Sequence, residues 1–290
     1  MEVKERVYDF TTLDTFLQCR RKYYWMMVRH LRSKTTAPAL EFGQCIHSAL
    51  AEYYRSNLNA GIAKWRETYK DREGEELRTV ANGEKLLKGY AEVYRNEPFK
   101  ILDIGGKPAI EIGFVVPMGG VLYAGRIDAL IEWGRDLMVL EHKSTGRIDS
   151  NYFKQFNPNM QIDGYIYGAE AYAGKKCFGA VVNAIEVWKE LKRPTEKSKK
   201  LEDHFARNPE NRNEAQLKDF ASQVQLIVRD IEACEKSGEY YQNKHQCRSY
   251  NFDCPYKDLC MYGESERLIE ANYKIEVWEP YKEGGDGTQE

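Results

Sequence analysis

Residues 125–143 read GRIDALIEWGRDLMVLEHK. Asp128 opens one apolar run, Trp133-Gly134-Arg135-Asp136 is suited to close a hairpin, and a second apolar run, LMVL, leads into Glu141 and Lys143. Two strands paired through that turn would deliver Asp128, Glu141 and Lys143 to one spot. Alternation along a strand puts Glu141 and Lys143 on one face, with the His142 side chain pointing away and its backbone carbonyl still available to a metal. A carboxylate inside a run as apolar as the one holding Asp128 needs a partner or a cation to offset its desolvation.

Working outward, Gly105-Gly106 and Gly119-Gly120 are turn signals, and KPAIEIGFVV, VLYAGRIDALIEW and LMVLEHKS are rich in β-branched and aliphatic residues. A three-stranded antiparallel meander is expected. Asn157 and Pro158 read as N-cap and first residue of a helix through NMQIDGYIYGAEAYAG that stops at Gly174. KCFGAVVNAIEVWK then reads as a buried strand, so helix and strand make a crossover onto the sheet. The fold class is therefore α/β with a mixed central sheet.

Before this core the chain reads as helical. Thr11 or Thr12 would cap a helix through LDTFLQCRRKYYWMMV, which carries Cys19 and the basic-aromatic run Arg20 to Trp25. A second helix near Pro38 carries His47 among Ile46, Ala49 and Leu50, and residues 62–96 read as further helix. After the core, KELKRPTEKSKK at 189–200 reads as an exposed basic loop, Glu214 to Ser237 as a long amphipathic helix, and QCRSYNFDCPYKDLC as a cysteine-rich segment. The expected division is a helical region at 1–98, a sheet core at 99–188, a basic loop, helix and cysteine segment at 189–280, and a disordered tail at 281–290.

Composition narrows the function classes. With 290 residues, 42% hydrophobic and 30% charged, the chain can bury a sizeable core. Its formal charge of -2 gives no global attraction to nucleic acid, so any such binding must come from local patches. No apolar run reaches the roughly 20 residues that span a bilayer, and the charged start is unlike a secretory signal; a cytoplasmic location is expected. Seven cysteines, an odd number, fit metal or cluster ligation better than a disulfide framework in that compartment.

The chemistry of the hairpin follows from charge. A phosphodiester is an anion attacked by water, and divalent metals held by carboxylates both neutralise developing charge and supply a deprotonated nucleophile. Asp128 and Glu141 offer the oxygen ligands that Mg²⁺ and Mn²⁺ favour, and Lys143 could orient the attacking water or offset phosphate charge. An E-x-K triplet alone is an ordinary feature of exposed strands. A lone histidine on an apolar helix, such as His47, is more often a core residue than a ligand.

Taken together, GRID, a short turn, VLEHK and a helix with Gln161 and Tyr165 resemble the PD-(D/E)XK nuclease superfamily, and more narrowly its RecB-type branch. His47 matches the upstream histidine in its G-x-x-x-H setting from Gly43, Asp128 the aspartate, Glu141 and Lys143 the D/E-x-K, and Gln161 and Tyr165 the Q-x-x-x-Y. The resemblance covers roughly 40–185. It implies a restriction-endonuclease-like core, metal ligation by His47, Asp128 and Glu141, catalysis by Lys143, and a role near the site for Gln161 and Tyr165. Glu41 and Glu111 are nearby carboxylates of open role.

Cys247, Cys254 and Cys260 form C-x6-C-x5-C in a segment too polar for a core, one ligand short of a four-cysteine site. Members of this branch with iron-sulfur clusters, including exonucleases of CRISPR adaptation and AddB-type subunits, hold one cysteine before the nuclease core and three after it. By that resemblance Cys19, in LQCRRKYYW, is the fourth ligand of a 4Fe-4S cluster. Zinc is the alternative, although its usual short C-x2-4-C knuckles are absent. Cys45, Cys177 and Cys234 read as small buried hydrophobes, with Cys234 in reserve as a ligand. The resemblance implies DNA as substrate and an end-dependent exonuclease of recombination, repair or phage or CRISPR-related processing. Arg20 to Trp25 and 189–200 are candidate contacts to backbone and unpaired bases. A DNA- or partner-binding protein of the same fold with little catalysis, and a structure-specific endonuclease, are the alternatives.

Overall fold

The computed structural model describes residues 6–189, 198–249, 252–279 and 281. The expectations for the basic loop and the tail fall largely on 190–197 and 282–290, outside the described residues. The chain forms two compact units, one from Met1–Thr36, Phe114–Gly125 and Lys218–Glu290, the other from Ala37–Gly113 and Arg126–Leu217. We call them the cysteine unit and the sheet unit.

The chain begins with β1 (Val7–Asp9) and α1 (Phe10–Gln18). Asp9, rather than Thr11 or Thr12, caps α1: its carboxylate accepts from the Thr11 and Thr12 N–H groups at 3.2 and 3.0 Å, and a carboxylate at a helix start is further favoured by the dipole. The single helix expected through Val28 is also interrupted. Cys19 adopts extended geometry (φ -165°, ψ 115°) between α1 and the short α2 (Arg20–Tyr23), and a π-helical turn covers Tyr24–Val28. Tyr23 and Trp25 are buried and pack inward instead of standing ready for bases, while Tyr24 between them is half-buried. β2 (Leu31–Ser33) closes the segment.

The sheet unit opens with α3 (Pro38–Arg55), whose proline sits in the first turn where its missing N–H costs nothing. Residues 62–96 are two helices, α4 (Leu58–Thr68) and α5 (Val80–Val93), not one. The Tyr69 hydroxyl donates to the Arg78 carbonyl at 2.7 Å and the Trp65 indole N–H to the Val80 carbonyl at 2.9 Å, so buried side chains hold the intervening turn. Asn57 and Thr79 cap the two helices.

Short strands follow: β3 (Lys100–Ile101), β4 (Asp103–Ile104) and β5 (Lys107–Pro108). Then come β6 (Ile110–Met118), β7 (Val121–Trp133) and β8 (Asp136–Thr145), as the alternating sequence requires. β6 pairs with β7, and β7 runs antiparallel to β8 with Trp133 opposite Asp136, so the expected two-residue hairpin turn forms. Gly134 there has φ 68°, a conformation that a side chain would strain.

α6 (Met160–Ala173) is capped by Asn159, whose side chain accepts from the Gln161 and Ile162 N–H groups; Asn157 and Pro158, joined by a cis peptide bond, lie before the cap. Gly174 ends it with φ 64°. β9 (Cys177–Glu186) then lies parallel to β8, with Glu141 opposite Val182, and β10 (Phe205–Asn211) antiparallel to β9. The sheet is mixed, and β8-α6-β9 is the expected crossover. Phe42, Ile46, Leu50, Trp65, Leu86, Tyr90, Ile185 and Phe205 form one core cluster, and Phe99, Ala129, Ile131, Leu140 and Val181 belong to another. Each such large apolar side chain contributes about 1.5–3 kcal/mol on burial.

The last stretch is α7 (Glu214–Ser237), with the boundaries read from its periodicity, then β11 (Arg248–Ser249), β12 (Phe252–Asp253), α8 (Lys257–Tyr262), α9 (Glu266–Asn272) and β13 (Tyr273–Ile275). Within the cysteine unit β1 lies parallel to the first residues of β7, Val7 opposite Leu122, and β13 pairs antiparallel with β2. Trp25, Leu31, Tyr256, Leu259 and Tyr273 make its small apolar cluster, against which Cys254 and Cys260 pack.

Candidate metal and active site

Four elements of the sheet unit converge on the Asp128–Lys143 hairpin. α3 brings His47 to β7: His47 Nδ1 and Asp128 Oδ1 stand 3.2 Å apart. Gly43, one turn earlier on the same helix face, makes this approach possible, because a Cβ there would lie 2.8 Å from Ser144 Oγ on β8. The other Asp128 oxygen, Oδ2, accepts the His142 N–H at 2.7 Å. On β8, Lys143 Nζ donates to Glu141 Oε1 at 2.6 Å and to Gln161 Oε1 at 2.8 Å, and Gln161 Nε2 donates to the Tyr165 hydroxyl at 3.0 Å. The residues picked from sequence on four separate elements thus meet in one place. His142 points its ring to the opposite face, as alternation predicts, where its Nδ1 is 2.7 Å from Asn183 Nδ2.

The electrostatics separate the two carboxylates. Burial alone would raise Asp128, but the adjacent His47 and the His142 N–H outweigh it and hold the carboxyl well below its ordinary range. Glu141 goes the other way: burial pushes it up to about 7, Lys143 pulls down and the Asp128 charge adds to the rise. His47 would lose its charge on burial, yet Asp128 raises its pKa above the ordinary value. His142 is brought down to about 3 by burial, so its ring is neutral.

Glu111 is the residue whose place the sequence did not disclose. It takes φ 55°, unusual for a side chain with a Cβ, and pairs with Arg126 Nε at 3.0 Å. Burial and then the Asp128 charge raise its pKa, so it belongs to the same electrostatic neighbourhood. The signal available in sequence was a carboxylate in an apolar strand next to the hairpin. Glu41 instead forms an ion pair with Arg72.

Oxygen acceptors and one imidazole are a donor set suited to a hard divalent cation. Glu141 Oε2 is buried with no hydrogen-bond partner, an arrangement that costs free energy unless something positive arrives there. Among the described residues, no three His, Cys, Asp or Glu side chains are drawn close enough to hold an ion as they stand. The His47–Asp128 and Lys143–Glu141 contacts occupy the lone pairs that a cation would use.

The cysteine unit contains Cys19, Cys234, Cys247, Cys254 and Cys260, all with free thiols. Burial raises the Cys254 and Cys260 thiols, and charge on the neighbouring sulfurs adds to it: Cys260 and Cys19 act on Cys254, and Cys19 and Cys247 on Cys260. The Asn243 N–H donates to Cys19 Sγ at 3.3 Å, and the Cys254 N–H to the Cys247 carbonyl at 2.9 Å. The Trp25 indole N–H is buried without a partner at hydrogen-bonding distance, yet it is near enough to Cys260 to favour that thiolate. Cys234 is buried and its sulfur accepts from Arg20 at 3.2 Å, while Cys45, partly exposed, donates to the Thr68 carbonyl. Cys177 is buried as expected of a small hydrophobe.

Comparison with known proteins adds to this. A family model described as the PD-(D/E)XK nuclease superfamily matches residues 10–261. A crystal structure from Eubacterium rectale named "Putative exonuclease" superposes with a TM-score of 0.55 at 10% identity, covering 89% of this chain and 88% of its own, which is a likeness of fold. A crystal structure of a protein named SSO0001 aligns at 13% identity over 75% of this chain and 87% of its own, with a TM-score of 0.29 that is too low to carry weight. No curated protein matches the sequence. Among the described residues, no helix is long and apolar enough to cross a membrane.

Proposed function

Because the chain belongs to the PD-(D/E)XK nuclease superfamily, we propose that it is a DNA exonuclease of the RecB-type branch that uses Mg²⁺ or Mn²⁺ and carries a structural 4Fe-4S cluster. Nucleases of the superfamily generally use those two cations, and the fold implies DNA as the substrate. The observation that carries the reading is the orphaned Glu141 Oε2, buried beside Asp128 and on the same strand face as Lys143.

In this reading His47, Asp128 and Glu141 would hold the cation, with the His142 carbonyl as a further ligand. Such a cation, when bound, lowers the pKa of a water and neutralises charge on the scissile phosphate. The chain's own groups do the rest. Lys143, freed from Glu141, keeps its bond to Gln161 and is thereby aimed at the attacking water or the phosphate oxygen. Tyr165 fixes the Gln161 amide so that its oxygen faces Lys143. Glu141 must lose its proton to ligate, and its raised pKa places that step near neutrality.

Cys19, Cys247, Cys254 and Cys260 would hold the cluster. The N–H aimed at Cys19 and the packing of Cys254 and Cys260 against one apolar cluster are compatible with thiolate ligation, and the absence of a short C-x2-4-C knuckle favours the cluster over zinc. Residues 1–98 would then supply Cys19 and His47, 99–188 the catalytic strands and helix, and 189–280 the cluster segment. Incubating linear and covalently closed DNA with Mn²⁺ tests the exonuclease assignment. Digestion confined to the linear form is expected, and equal nicking of the circle would replace it with an endonuclease.

A further inference from the structure

Behind the catalytic strand, on the face opposite Glu141 and Lys143, lies a buried polar chain that the proposed reaction does not use. Arg207 on β10 donates through Nε to Asn183 Oδ1 at 3.0 Å, and through Nη2 to the hydroxyls of Tyr90 (2.8 Å) and Tyr54 (3.2 Å) and to Glu97 Oε1 (2.9 Å). Its Nη1 reaches Glu97 Oε2, and its guanidinium lies 3.5 Å over the Tyr94 ring. Asn183 on β9, fully buried, passes the chain to His142 Nδ1 at 2.7 Å.

The direction of every bond in this chain is forced. Arginine can only donate, so the Asn183 oxygen faces Arg207 and its NH₂ faces His142. His142 Nδ1 must then accept, which puts the ring proton on Nε2. Glu97 only accepts, so the Tyr54 hydroxyl donates to it at 2.7 Å and receives the Tyr90 hydroxyl at 2.7 Å. The chain touches two of the elements that carry site residues: Tyr54 shares α3 with His47, two turns along, and His142 lies between Glu141 and Lys143 on β8. The His142 peptide N–H is itself the donor to Asp128 Oδ2.

A buried ion pair is a poor stabiliser, because apolar side chains of equal volume usually do as well. One that fixes hydrogen-bond directions up to a strand bearing two site residues has another use. We propose that Arg207, acting through Asn183, is a positioning residue that locks the His142 ring and peptide and so holds Asp128, Glu141 and His47 in register for the divalent cation. This rests on the nuclease reading for the identity of the site, but its effect is on cation binding and is measured separately from cleavage.

The test is Mn²⁺ titration of the full chain, followed by electron paramagnetic resonance of free Mn²⁺, alongside DNA cleavage and thermal melting. Asn183→Leu and Arg207→Lys are each expected to raise the Mn²⁺ midpoint about tenfold or more, as loss of a partner that orients a metal ligand does, with the KM for DNA unchanged. Leu86→Ala, a core truncation outside the chain, lowers the melting temperature and leaves the Mn²⁺ midpoint in place. If Asn183→Leu does not fold, Arg207→Lys, which keeps the buried charge opposite Glu97, decides. A wild-type midpoint in the folded variants overturns the positioning role even if DNA is cleaved. Mn²⁺ binding by the wild type without any cleavage overturns the nuclease reading and leaves the comparison of midpoints to judge the chain. Failure of the wild type to bind Mn²⁺ overturns both.

Discussion

The two units hold their reactive side chains by different means. In the sheet unit, Asp128, Glu141 and Lys143 project from long paired strands, and α3, packed over a large core, and α6, capped by Asn159, bring His47 and Gln161 to them. In the cysteine unit, Cys247 and Cys254 flank a pair of two-residue strands, Cys260 sits on a six-residue helix, and Cys19 occupies a break between helices over a small apolar cluster. Backbone ladders can place ligands before any metal arrives. Short turns with little core cannot, and there a bound cluster becomes part of the folding free energy. The sheet unit is therefore expected to keep its structure without a cation, whereas the cysteine segment would depend on the cluster proposed for it.

The largest effect belongs to the hairpin. Lys143→Ala and Asp128→Ala are expected to reduce DNA cleavage by about a thousandfold or more, since each removes a group acting in the transition state or holding the cation. Circular dichroism should show little change. Cleavage within tenfold of wild type in both variants would remove the hairpin from the chemistry. Next come the cysteines. Protein purified without air should be brown with about four irons per chain, and Cys254→Ser should lose the iron and melt at lower temperature. Stoichiometric zinc without iron in that preparation would transfer the site to zinc. If Cys254→Ser melts like wild type, the contrast between the units fails.

The pH dependence has a definite sign. Glu141, raised to about 7, is protonated below that value, and a protonated carboxyl does not ligate, so Mn²⁺ affinity should rise as pH passes through about 7. The linked stability runs the other way. A carboxyl whose folded pKa exceeds its unfolded value binds more protons when folded, so the metal-free protein loses this contribution as pH rises from about 4.5 to 7. Glu141→Gln should flatten that part of the melting profile. Rising metal-free stability across the window, attributable to Glu141, would contradict the assignment. The smallest effect is expected for Gln161→Ala, about a tenfold loss of rate from a less firmly aimed Lys143 with DNA affinity retained.

Much of the hairpin was legible because it rests on local rules. Trp133 to Asp136 specified its turn, alternation put Glu141 beside Lys143, and Pro38 and Gly174 marked helix ends. What escaped was decided at a distance. Asp9, Thr11 and Thr12 are all competent caps, and nothing local favours Asp9, which ends a strand paired with residues more than a hundred positions later. Residues 62–96 are rich in Glu, Lys, Leu and Tyr, and the break between the two helices, which holds Gly74 at φ 77°, is fixed by buried contacts of Trp65 and Tyr69 to carbonyls beyond it. The inward packing of Tyr23 and Trp25 likewise depends on the C-terminal residues around them. Glu111 needed a backbone conformation that no sequence pattern announces, and Arg207 reaches His142 only through Asn183 and the fold.

The central claim is that the Asp128–Lys143 hairpin is the metal-dependent centre of a DNA-cleaving enzyme. Its most direct test is digestion of end-labelled single- and double-stranded DNA by anaerobically purified protein, with Mg²⁺, with Mn²⁺ and with chelator, comparing wild type and Lys143→Ala. Loss of label from DNA ends by the wild type with either cation, abolished by chelator and by the substitution, is the predicted result. Intact DNA under every metal condition, or equal digestion by Lys143→Ala, would contradict it.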